Sequence, residues 1–170
     1  MSPVLFNIYT DELIQKLNAT KIGCHVHGMC VNNINYADDM VLLAPSLSAL
    51  KKLLKIFEDF AKSHNLLYNI TKSVVMVFKS KNEIFQTPSV LLDERKINVN
   101  HSVKYLGHII TDDLKDIKDM ERQRRAISVR ASMLSRRFYF CCPKVKRILF
   151  NAFCTSLYTS ELWVNYTTSQ

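Results

Sequence analysis

An α+β fold is predicted for this 170-residue chain from three observations. Leu5, Tyr9, Leu13 and Leu17 recur every four residues, and Leu47, Leu50, Leu54, Phe57 and Ala61 alternate between spacings of three and four, both helical periods. Around the second of these segments lie short β-type runs: Ile34 and Met40–Leu43 flanking Asp38-Asp39, then Val74–Phe78, Ile97–Val99 and Val103–Ile110. From about residue 112 the helical stripe returns, with Ile117, Met120, Ile127, Ala131, Leu134 and Phe138 set between arginines.

Taken in order, Ser2 suits an N-cap with Pro3 at the first helical position, giving a helix over 2–17. Residues 22–31 and 34–43 read as strands, with the division of the stretch by Gly28 and by Asn32-Asn33 left open. A turn at Asn32-Asn33 would place the acids within the second strand, whereas a turn between Ile34 and Met40 would place them at its tip; the residues leave both open. Ser46 caps a helix over 46–64, whose Lys51, Lys52, Lys55 and Lys62 mostly occupy solvent faces. Val74–Phe78 reads as a strand buried on both sides, and Val90–Leu92 with Ile97–Val99 as a hairpin around a polar turn. Val103–Ile110 supplies a further strand. Pro143 opens a last helix with Val145, Ile148, Leu149, Ala152 and Phe153 as its apolar face. A boundary near residue 112 divides the chain into 1–111 and 112–170.

A hydrophobic share of 48% with 22% charged residues belongs to a globular chain. No apolar run is long enough to cross a bilayer and the amino end carries no secretion signal, so a cytoplasmic or nuclear location is expected and secretion is not. Five cysteines without a Cys-x-x-Cys pair argue for reduced thiols, and His25 and His27 beside Cys24 and Cys30 read as strand-face residues, not zinc ligands. The net charge of +8 is confined to one segment. Residues 115–147 hold eleven Lys and Arg against Asp116, Asp119 and Glu121, while elsewhere bases and acids cancel. Such a block is either a solvated helix face or a polyanion contact.

Asp38 and Asp39 concentrate the chemistry. Adjacent carboxylates repel, and partial burial between apolar runs would raise the cost of ionising both. A divalent cation offsets that cost, and magnesium accepts one or two carboxylates with water and phosphate completing its octahedron. The pair fits one half of a two-metal phosphoryl-transfer site.

Tyr36-Ala37-Asp38-Asp39 resembles the acidic motif of reverse transcriptases. Ser2-Pro3-Val4-Leu5-Phe6-Asn7-Ile8-Tyr9 is similar to the start of that family's palm helix after its Gln-Gly pair, and Asn69-Ile70-Thr71-Lys72-Ser73 to its Asn-x-x-Lys-Thr element. Tyr105-Leu106-Gly107 resembles the primer-grip segment, and Ser160-Glu161-Leu162-Trp163 a patch near the end of the thumb. The elements stand in family order, and Ala37 with the Leu-Trp ending points to the non-LTR retrotransposon branch. The resemblance implies a partial polymerase palm over 1–111, an antiparallel sheet with helices, followed by a thumb-like helical region over 112–170. It places the acids at the hairpin tip.

The resemblance further implies RNA-directed DNA polymerase activity in the complete domain, with Mg2+ as cofactor and an RNA template, DNA primer and deoxynucleoside triphosphates as partners. Asp38 would be the primary metal ligand, Asp39 the supporting one, and Lys72 a contact to the leaving pyrophosphate. Tyr36, Tyr105, Leu106 and Gly107 would steady the primer. Lys115, Lys118, Arg122, Arg124, Arg125, Arg130, Arg136 and Arg137 would hold duplex phosphates. Asn65 stands where the family has Gly, and Ser73 where it has Thr. The family's further carboxylate lies upstream of its Gln-Gly pair, and Asp11, Asp112 and Asp113 do not substitute for it. The expectation is therefore a fragment that lacks the upstream part of the same polymerase and is inactive alone. The alternative is a catalytically inactive relic that binds nucleic acid through its basic segment.

Overall fold

In the computed structural model, residues 3–78, 89–157 and 159–164 are described. They form a mixed α+β arrangement of short two-stranded sheets and helices. Two compact units divide them: residues 3–75 with 89–98, and residues 76–78 with 99–164. The boundary expected near 112 concerned polymerase subdomains, which compactness does not define. Among the described residues, no helix is long and apolar enough to cross a membrane.

In the first unit, helix α1 spans Pro3–Ala19 and α2 spans Leu47–Ser63. The Ser2 cap lies outside the described residues. Ser46 accepts a hydrogen bond from the Ala49 N–H at 3.2 Å, the expected cap of α2. Leu13 and Leu17 of α1 bury against Leu53 and Phe60 of α2, whereas Leu5 and Tyr9, expected on the same buried stripe, are exposed. Tyr9 instead reaches the end of α2 at its rim, its hydroxyl donating to the His64 carbonyl at 3.2 Å.

Residues 22–31, read as a strand with its division at Gly28 open, form a hairpin that turns there. Strand β1 (Cys24–Val26) pairs antiparallel with β2 (Met29–Val31), His25 opposite Cys30, around a left-handed His27-Gly28 turn. β3 (Asn33–Tyr36) then pairs with β4 (Asp39–Leu42), Tyr36 opposite Asp39. Met40 and Leu42 pack onto the α1–α2 core. Gly23 is required where the chain enters β1, because an added Cβ would stand 2.7 Å from the Asn32 Cβ and 2.8 Å from the Val31 carbonyl oxygen.

The other side of α2 builds a second core. Leu47, Leu50, Leu54 and Phe57 pack on Val90, Leu92 and Ile97, which belong to the hairpin of β6 (Leu91–Leu92) and β7 (Arg95–Lys96). Its Asp93-Glu94 turn has both residues left-handed, which suits the twist of a tight hairpin. Strand β5 covers only Val74–Val75, and Phe78 is exposed. The strand buried on both sides, expected over 74–78, is therefore not formed. β8 (Asn98–Val99) completes the short strands before the second hairpin region.

In the second unit, Val103–Ile110 is a hairpin, not one strand: β9 (Ser102–Tyr105) pairs with β10 (His108–Thr111), Tyr105 opposite His108. Helix α3 (Ile117–Arg137) packs on β10, and α4 (Pro143–Phe153) packs on α3. Pro143 begins α4 as expected, but no residue of α4 is fully buried, and Val145, Ile148 and Phe153 of its apolar face are exposed. A short 3-10 turn over Ser160–Leu162 follows.

Candidate functional site

The acid pair sits at the tip of its hairpin. With Tyr36 opposite Asp39, the connection is the two residues Ala37 and Asp38. Ala37 has a φ of +52°, a left-handed conformation that costs an L-residue roughly 1–2 kcal/mol. Such strain persists only where its surroundings impose it. Here the two-residue connection between paired strands requires it, and a chain of amides anchors the strand that leads in. Asn35 Nδ2 donates to Asn33 Oδ1 at 2.6 Å, Asn33 Nδ2 to Asn32 Oδ1 at 2.6 Å, and the buried Asn32 Nδ2 to the Leu17 carbonyl at 2.7 Å. The last bond also satisfies a carbonyl at the end of α1. The hairpin is thus pinned to that helix end.

Asp38, Asp39 and Tyr36 are exposed, which corrects the expectation of partial burial. The pair is a solvent-facing set of hard oxygen donors, suited to magnesium in kind. Among the described residues, no group of three or more His, Cys, Asp or Glu is arranged so that it could hold a metal ion. Two carboxylates alone do not align two metals, so no reaction step follows from the described residues.

Lys72 lies on another turn of the same unit, organised by Asn69. The Asn69 side chain accepts from Thr71 Oγ1 at 2.6 Å and from the Lys72 N–H at 3.2 Å, and its carbonyl accepts from the Ser73 N–H at 3.0 Å. The Ser73 hydroxyl donates to that same carbonyl at 3.0 Å. Asparagine and a hydroxyl residue at this spacing therefore fold the turn and leave the Lys72 side chain exposed. Asn65 takes a φ of +51°, the conformation a glycine would favour.

In the second unit, Leu106 and Gly107 form the left-handed turn of the β9–β10 hairpin, with φ of +44° and +87°. Gly107 accepts this without cost, whereas Leu106 does so under strain with its side chain partly exposed at the tip. Tyr105 is half-buried.

The basic residues of α3 and of the turn before it divide by surroundings. Lys115, Lys118, Arg124, Arg125, Arg130, Arg136 and Arg137 are exposed, with Arg125 paired to Glu121 and Lys115 to Asp113 at 3.5 Å. Arg122 differs from the expectation. Its guanidinium turns inward, Nε 2.9 Å and Nη2 2.7 Å from Asp119 Oδ1. A phosphate would have to compete with that carboxylate.

Asp119, unremarked in the sequence beyond its charge, is fully buried. Besides Arg122, it accepts the Ile109 N–H of β10 at 3.1 Å and the Trp163 indole N–H at 3.0 Å, and His108 Nδ1 lies 3.2 Å from its Oδ2. Burial alone would raise its pKa. The bonds from Trp163, Arg122 and Ile109, with the nearby His108, outweigh burial and hold the carboxyl below its usual range. One turn earlier, Asp116 Oδ2 accepts the Val164 N–H at 2.8 Å. This clasp ties β10, α3 and the end of the described chain together. The signals that could have found it are an acid inside a basic block and the single tryptophan of the sequence.

Residues 1–110 match the family described as Reverse transcriptase (RNA-dependent DNA polymerase). The chain belongs to the reverse transcriptase family. The matched residues include the Asp38-Asp39 turn, the Asn69–Ser73 turn and the Tyr105–Gly107 turn, and end before α3. The Retrovirus-related Pol polyprotein from type-2 retrotransposable element R2DM of Drosophila melanogaster is 33% identical over 81 residues, which is 48% of this chain and 8% of that protein. The chain thus relates to a retrotransposon Pol protein and matches only a small part of its length. No solved structure matches at the same stringency.

Proposed function

We propose that this chain is a carboxyl-terminal palm and thumb portion of a non-LTR retrotransposon reverse transcriptase, with 1–111 as partial palm and 112–170 as thumb-like region. The complete domain copies an RNA template into DNA from a primer and deoxynucleoside triphosphates. The observation that carries this reading is the strained two-residue turn presenting Asp38 and Asp39 inside the stretch that matches the family. Bound magnesium supplies the charge that steadies the transferring phosphoryl group. On this reading Asp38 is the main ligand, Asp39 supports it, and Lys72 meets the leaving pyrophosphate. Tyr36 and the Tyr105-Leu106-Gly107 turn steady the primer, and the exposed cations of α3 hold phosphates without reading bases.

Since the two carboxylates are half of a two-metal site, polymerisation is assigned to the complete domain and nucleic-acid binding to this chain alone. Two measurements test this. Given primed RNA, nucleotides and magnesium, the isolated chain should extend no primer; extension that vanishes in Asp38→Ala would overturn the assignment. Manganese in place of magnesium should broaden amide resonances around Asp38 and Asp39. Equal broadening in the parent and Asp38→Asn would remove the metal role.

A further inference from the structure

The corner between α3 and α4 exposes aromatic rings where a folded chain ordinarily hides them. Phe140 is 97% exposed and Tyr139 69% exposed, their rings 5.3 Å apart and nearly perpendicular. Lys146 holds this corner in place. Its Nζ donates to the Tyr139 carbonyl at 2.8 Å and lies 5.5 Å from the Tyr139 ring centroid. Beside it, α3 and α4 border a half-open cleft of about 350 Å³ lined by Leu134, Phe138, Leu149 and Phe150 together with Lys146 and Arg147. The surrounding charge has one sign: residues 122–160 contain nine Lys and Arg and no Asp or Glu.

We propose that this corner binds single-stranded nucleic acid, with bases stacked on Tyr139 and Phe140 and phosphates held by Arg136, Arg137 and Arg147. Phosphate contact alone needs cations and no rings, and a paired base within a duplex has both faces covered by its neighbours. An unpaired strand offers π-faces and phosphates together, the combination that rings embedded in positive charge recognise. An apolar protein partner would cover the rings but leave the cations uncompensated. Charge complementarity therefore selects the anionic strand.

The inference rests on the nucleic-acid-binding reading above, and its test keeps the two apart. The full 170-residue chain is titrated at fixed salt against three labelled probes. They are a single strand of about 12 nucleotides, an abasic strand of equal length and an RNA–DNA duplex, the length lying within the site sizes such surfaces occupy. The base-bearing strand should bind about tenfold or more tighter than the abasic one. Replacing Tyr139 and Phe140 together by Ala should close that gap without changing duplex or abasic binding. The same pair replaced by Leu, which keeps apolar bulk but removes the rings, should close it equally. Equal binding of base-bearing and abasic strands by the parent overturns the proposal, as does a gap that survives in both variants. Self-association of the parent that the Leu pair retains, with no base-dependent binding, would mark a protein-docking face and overturn it too. Loss of duplex binding by the parent would instead sink the broader functional reading.

Discussion

Trp163 donates its indole N–H to Asp119 across 44 residues of sequence, at 3.0 Å. The bond gives a buried carboxylate a neutral donor opposite the Arg122 guanidinium and leaves little of its hydrogen-bonding capacity unused. A buried charge is tolerable only when so surrounded. The lone tryptophan of the chain is therefore a structural bond donor as well as an apolar side chain.

Asp119→Ala should destabilise the second unit by up to about 3–5 kcal/mol, since it removes a buried carboxylate and strands a half-buried guanidinium and three other donors or rings. Arg124→Ala, on the exposed side of the same helix, should change stability by no more than about 0.5 kcal/mol. Denaturant unfolding followed by Trp163 emission measures both, and equal effects would refute the clasp.

The pH dependence follows from the same carboxyl. Its pKa is lowered on folding from an ordinary 3.8, so the unfolded chain binds more protons in the interval below that value. The stability Asp119 contributes should be fully present above 3.8 and should fall away as pH drops through its depressed folded value. Asp119→Asn should remove that component of the acid limb. A limb of unchanged slope in the Asn variant would refute the assignment.

Ala37→Gly should stabilise the first unit by up to about 1 kcal/mol, because glycine adopts the left-handed turn without a Cβ penalty. Gly23→Ala should destabilise it, because the new Cβ meets Asn32 and the Val31 carbonyl. Thermal unfolding of the two variants should shift in opposite directions. If both shift downward, the turn at Ala37 is not strained.

The cations of α3 should separate into two kinds. Arg124→Gln or Arg130→Gln should lower duplex affinity and flatten the log–log salt slope by roughly 0.9 for each DNA phosphate the variant no longer neutralises, at unchanged stability. Arg122→Gln should act mainly on stability, since its guanidinium is engaged by Asp119. Titration of labelled RNA–DNA duplex at several salt concentrations, beside a denaturation curve, checks both. An Arg124→Gln and Arg130→Gln pair that binds with the parent's slope would leave the basic block a solvated face.

Much of the local architecture was legible before folding. Ser46 as a cap, the helices over 46–64 and after Pro143, and the two acids at a hairpin tip follow from periodicity, capping chemistry and motif resemblance, all of which act over a few residues. The confinement of positive charge to 115–147 is likewise a property of the chain alone. The boundaries of the apolar runs were less legible. Residues 103–110 read as one strand and residues 22–31 as a strand with its division at Gly28 open, yet left-handed turns at His27-Gly28 and Leu106-Gly107 fold each back on itself. An apolar run does not reveal where a ladder must close.

Only the tertiary structure decided which faces find partners. It split the apolar side of α2 between two cores, left Leu5 and much of the apolar face of α4 exposed, and turned Arg122 inward while Arg124 and Arg125 stayed in water. The reason is physical. A helical period states that one face prefers burial, but the partner that buries it, or the carboxylate that claims one arginine among many, comes from segments tens of residues away. Asp119, one acid among many cations in sequence, became the organising charge of its unit once Ile109, Arg122 and Trp163 closed around it.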